Sequence, residues 1–139
     1  MFNSILIPVD LGHIDRVDQM MASVKSISTR ADAQLMLLTV LPEVPGYVVP
    51  HISTELLTGA VVEARTQLEA LAKRHGLGGS LKIKVIHGNP SQAILSTALD
   101  EKADLIVIGS HKPGLADYLL GSVASKVVRH AVCSVVVVR

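Results

Sequence analysis

Gly109, Ser110, Gly114, Gly121 and Ser122 sit close together, after the apolar run 105–108 and before a helical pattern carried by Val123, Ala124, Val127, Val128 and Ala131. A glycine-rich loop between a buried strand and a helix lets backbone N–H groups converge on an anion, and the helix N-terminus adds partial positive charge. The chemistry indicated is the holding of a phosphate-type group; it does not say what happens to that phosphate. Ser122 suits two roles at once, a hydroxyl donor to phosphate and the N-cap of the last helix. Gly109 and Gly121 serve either close ligand approach or a tight turn. His111 and Lys112 lie in the same loop. Asp10 ends the first apolar run, residues 4–9, where it accepts a hydrogen bond from a ligand hydroxyl or caps the segment that follows.

Other chemistries find less support. His13, His51, His75, His87 and His130 are dispersed, without ligand spacing such as H-x3-H, so no metal site is expected. His130 and Arg129 suit the C-terminal dipole of the last helix. Cys133 has only Arg129, four residues upstream, to activate a thiolate, and reads as a packed small residue. There is no G-x4-GK-[ST] sequence, no evident Mg-binding carboxylate pair and no triad. No catalytic residue is expected.

These residues need a scaffold, and 139 residues suffice for one domain with a substantial core. Hydrophobic residues make up 49% and charged residues 18%, the reverse of a disordered chain. A net charge of +1 and 2% aromatics argue against a nucleic-acid surface. A single cysteine fits a reducing compartment. With no signal-peptide pattern and no apolar run long enough to span a bilayer, a cytoplasmic protein without membrane insertion is expected.

Five strand-like runs alternate with helical patterns. Residues 4–9, 35–40, 105–108 and 134–138 are near-continuous apolar runs, as in strands covered on both faces. Residues 81–86 alternate, with Lys82 and Lys84 turned outward as on a protected sheet edge. Val17, Met20, Met21, Val24 and Ile27 recur at helical steps, as do Leu57, Val61, Ala64, Leu68 and Leu71, with Gly76 as a stop. Asn89, Pro90 and Gln92 open a third helix that buries Ala93, Ile94, Ala98 and Leu99. The fourth buries Val123, Ala124, Val127, Val128 and Ala131. Residues 41–52, with Pro42, Pro45 and Pro50, read as an ordered loop over the sheet end. The βαβαβαβαβ order implies a parallel sheet with right-handed crossovers and a ligand at the carboxyl ends of strands 1 and 4.

Along its whole length the chain resembles the universal stress protein family. The resemblance rests on Ile5-Leu6-Ile7-Pro8-Val9-Asp10, on Gly88-Asn89-Pro90 followed by Ile94, and on Ala103 through His111. It continues in Leu120-Gly121-Ser122-Val123-Ala124, Val128-Arg129-His130-Ala131 and Cys133 through Val138. It implies an α/β fold with five parallel strands in the order 3-2-1-4-5 and helices on both faces, Rossmann-like and of the adenine nucleotide alpha hydrolase type. It also implies one domain over residues 1–139 and a homodimer through Ser134–Val138.

The family's nucleotide-binding branch has a G-x2-G-x9-G-[ST] pattern and binds ATP. By that resemblance Asp10 meets the adenosine end, with Pro8 and Val9 before it at the end of strand 1 in the expected site, and Val40 lies beside the adenine. Gly109, Gly121, Ser122 and Val123 match the phosphate and ribose contacts, and Ile108, Ser110, His111 and Lys112 complete the expected nucleotide site, with Mg as an optional companion of the ATP. Two features depart from the pattern: Lys112 replaces the second glycine, and the spacer to Gly121 is eight residues. The Ser-His-Lys-Pro form resembles a subgroup whose members include ATP binders. The expected function is an ATP-binding regulator of stress responses with an unidentified protein partner. A nucleotide-free adaptor and a slow ATP hydrolase or autophosphorylating protein are the alternatives.

Overall fold

The computed structural model describes residues 2–28, 33–110 and 120–139. Their strands are β1 (Ser4–Pro8), β2 (Gln34–Leu41), β3 (Lys82–His87), β4 (Leu105–Gly109) and β5 (Ser134–Val138). Between them run α1 (Ile14–Ile27), α2 (Thr54–Arg74), α3 (Pro90–Asp100) and α4 (Ser122–His130), with short 3-10 turns at Leu11–His13 and Val49–His51. All strand pairs are parallel and the order is β3-β2-β1-β4-β5. β1 lies at the centre, with Ile5 opposite Leu35 on one side and Leu105 on the other.

The two-residue period of a strand divides the core. Ile5, Ile7, Leu37, Leu105 and Val107 face α1 and α2, where Val17, Met21, Val24, Leu68 and Leu71 cover them. Leu6, Leu38, Ile106 and Ile108 face α3 and α4, against Ile94, Ala98, Ala124 and Val127. Each fully buried aliphatic side chain contributes about 1.5–3 kcal/mol by leaving water. This double coverage is why the central strands read as continuous apolar runs.

Local chemistry fixes the helix ends. Asn89 caps α3, its side chain accepting from the Gln92 N–H at 3.2 Å, with Pro90 at the first helical position. The Ser91 hydroxyl also donates to the same Asn89 oxygen at 2.9 Å, and among the described residues no bond runs from the Gln92 side chain back to the Asn89 N–H. α2 stops at Gly76, whose φ of +65° lets its N–H reach the Lys73 carbonyl while the Leu77 N–H reaches that of Ala72.

Three expectations need correction. Leu99 is 60% exposed and Val128 44% exposed, not buried. Each follows a core residue, Ala98 or Val127, and the 100° step of a helix carries it off the packed face. Leu41 belongs to β2, where it pairs with His87, so the loop begins one residue later than expected. At the β3 edge, Lys82 and Lys84 reach Glu101 at 3.4 and 3.9 Å.

Candidate functional site

The sheet's carboxyl edge brings the ends of β2, β1 and β4 side by side. β1 ends in Pro8, followed by Val9 and Asp10. Val9 is buried, and its N–H donates to the Leu38 carbonyl at 2.7 Å. The buried Thr39 hydroxyl donates to the Val9 carbonyl at 2.9 Å. These two bonds clamp the chain where it leaves the sheet, so the position of Asp10 is set by the strand.

Asp10 caps the turn that follows, one carboxylate oxygen accepting from the Gly12 N–H at 3.0 Å. The other lies 2.8 Å from His13 Nδ1. The side chain is nevertheless 70% exposed and faces solvent at the rim. Capping and ligand contact were alternatives in the sequence; here the cap is formed and lone pairs of both oxygens remain. In the sequence His13 is one of several dispersed histidines. Its three-residue spacing from an aspartate at a strand end was the available signal.

Val40 is half-buried and lines an open cleft of about 400 Å³ with Pro42, Glu43, Gly88, Asn89 and Pro90. Gly88 has φ +144°, a conformation that favours glycine, and its N–H donates to the Leu41 carbonyl at 3.0 Å. That bond ties the end of β2 to the turn before α3. The cleft joins Val40 to a turn that the sequence marked only as a helix start.

At β4, Ile108 is buried and Gly109 is exposed. Among the described residues a Cβ on Gly109 would meet Met20 Sδ at 3.9 Å, ordinary contact. Ser110 is buried; its N–H donates to the Val138 carbonyl at 3.0 Å and its carbonyl accepts from the Gly121 N–H at 2.9 Å. Ser110 thus brings the start of α4 to the end of β4.

The N-cap of α4 is Gly121, not Ser122 as expected; Ser122 is the first helical residue. The bond to Ser110 fixes the chain one residue earlier than the hydroxyl alone suggests. Among the described residues no side chain caps this end, and the N–H groups of Ser122, Val123 and Ala124 have no acceptor within the helix. Gly121 has φ −62° and ψ 158°, open to any residue, and Gly109 is not among the positive-φ glycines. The tight-turn reading therefore explains neither glycine. His111, Lys112 and Gly114 lie outside the described residues.

Elsewhere, the described residues hold no group of three or more metal-ligating side chains. Cys133 is partly buried beneath the α3–α4 face, and desolvation raises its thiol pKa above the ordinary value. No described helix is long and apolar enough to cross a membrane.

A universal stress protein from Thermus aquaticus is 34% identical over 143 aligned residues, covering all of both chains. The solved structure of the hypothetical protein MJ0577 superposes with a TM-score of 0.82 at 31% identity, over 99% of this chain and 96% of that one. A universal stress protein in complex with cAMP and one from Archaeoglobus fulgidus in complex with dAMP share the fold at 22% and 20% identity, each with a TM-score of 0.67, over 99% of this chain and 97% and 98% of theirs. The model of the universal stress protein family matches residues 1–139, and with these likenesses the chain belongs to that family.

Proposed function

We propose that this chain is a regulatory protein that binds an adenine nucleotide, ATP, along the carboxyl edge of its sheet. The observation that carries the reading is the start of α4, which no described side chain caps and which Ser110 holds beside the end of β4. Three N–H groups without an acceptor among the described residues, together with the helix dipole, favour an anion there. The strand order supplies the rest. The cleft at β2 and β3 takes a base, the Asp10 corner at β1 takes the neutral sugar, and α4 takes the phosphates. From β2 to β4 is two strand spacings, roughly 10 Å. That order is the order of a nucleotide, and the universal stress proteins solved in complex with cAMP and dAMP support an adenine nucleotide as the ligand class. Occupancy of this edge is read out as a change in contacts with a protein partner.

Calorimetric titration with ATP and AMP tests the reading. The wild-type protein binds, with ATP tighter than AMP because its added phosphates reach α4. Gly121→Val keeps the melting temperature, since that backbone accepts any residue, but weakens ATP tenfold or more by blocking approach to the helix start. A variant with unchanged affinity places the phosphates elsewhere, and a wild-type protein that binds neither nucleotide refutes the reading.

A further inference from the structure

We propose that His13 is a positioning residue that turns the Asp10 corner into a reader of vicinal hydroxyls, so that the site distinguishes a ribose from a sugar lacking them. The inference rests on the nucleotide reading and names the group that selects the sugar.

An aspartate that is 70% exposed would ordinarily sample several rotamers. Asp10 is held at both oxygens instead: the Gly12 N–H donates to Oδ1 at 3.0 Å, and His13 Nδ1 lies 2.8 Å from Oδ2. The two contacts fix the plane of the carboxylate before any ligand arrives. A ligand then meets an acceptor whose orientation entropy is already lost, which is how preorganisation adds affinity.

The proton balance defines the chemistry. An ionised carboxylate only accepts, so Nδ1 carries the hydrogen in this pair. The corner therefore offers two adjacent acceptors, the remaining lone pairs of the two Asp10 oxygens. A phosphate brings only acceptors and negative charge and is disfavoured beside Asp10. A vicinal diol brings two donors on adjacent carbons and suits the pair. A sugar without those hydroxyls leaves both acceptors unpaired in the complex, the case in which discrimination is greatest.

The experiment compares ATP with 2′,3′-dideoxyATP by calorimetry at pH 8, for wild type, His13→Ala, His13→Asn and Asp10→Asn. In the wild type the dideoxy compound binds at least tenfold more weakly. His13→Ala reduces that ratio to about threefold or less, with a melting temperature near that of the wild type because the side chain is exposed. His13→Asn keeps a side-chain donor near the carboxylate and restores part of the ratio, whereas Asp10→Asn abolishes it. A purely structural role for His13 would weaken both nucleotides equally and leave the ratio intact, which would overturn the proposal. Tighter ATP binding by His13→Ala would also overturn it, because His13 would then be competing for Asp10. If the wild type binds ATP with no preference for the hydroxyls, the proposal fails and the nucleotide reading stands; if it binds neither compound, both fail.

Discussion

Asn89 shows how one side chain links stability to the candidate site. Its oxygen accepts from the Gln92 N–H and the Ser91 hydroxyl, capping α3 directly beside Gly88 and the cleft under Val40. Asn89→Ala removes the cap and leaves the Gln92 N–H without that acceptor, at a cost of about 0.5–2 kcal/mol. A denaturant titration should show the midpoint falling with an unchanged slope. An unchanged midpoint would mean that water replaces the cap without loss. This residue was legible in the sequence because capping is local chemistry. His13 was not, because its partner depends on how the chain turns after Asp10.

Between elements, the tie from α1 to α2 carries a pH dependence. Asp18 on α1 receives the Arg74 guanidinium at 2.8 Å and lies 2.6 Å from His75 Nε2. These hydrogen bonds, from His75 first and then Arg74, hold the Asp18 carboxyl below its ordinary pKa. A folded-state pKa lower than the unfolded one means that the contribution is present above the unfolded value. It is lost as pH falls through the folded value. Stability measured from pH 7 down to pH 2 should therefore decline across the acid limb in the wild type. Asp18→Asn should be less stable at pH 7 and should show a shallower decline. An acid limb of equal steepness in the two proteins would remove Asp18 from the account. No periodicity linked Asp18 to residues 74 and 75, since its partners come from another helix far along the chain.

For the whole molecule, the two sheet edges differ. β3 carries Lys82 and Lys84, both within reach of Glu101. β5 is the opposite edge, and Val135, Val136, Val137 and Val138 are only half-buried although each packs against one of the two cores. A β-branched edge with an open row of N–H and C=O groups recruits another strand. We propose that a second copy pairs antiparallel with β5 and closes a two-fold dimer. Val136→Lys should shift the protein to monomer or to aggregate, whereas Lys82→Ala should leave assembly unchanged. Sedimentation at micromolar concentration reads both, and a monomeric wild type refutes the pairing.

The sequence by itself determined the strands, their parallel arrangement, the helix stop at Gly76 and the cap at Asn89. Hydrophobic period and capping are properties of neighbouring residues, and right-handed crossovers leave few ways to arrange such units. It also named most residues of the carboxyl edge: Pro8, Val9 and Asp10 from the end of an apolar run, and Gly109 and Gly121 from glycine spacing. Tertiary structure decided what those residues touch. It made Gly121 rather than Ser122 the cap, because Ser110 binds the Gly121 N–H across a loop closure. It turned Leu99 and Val128 to solvent, because the packed face of a helix is set by the sheet beneath it and not by apolarity alone. It placed His13 on Asp10, because a 3-10 turn brings residues three apart onto one side, and only the folded chain shows where that turn begins.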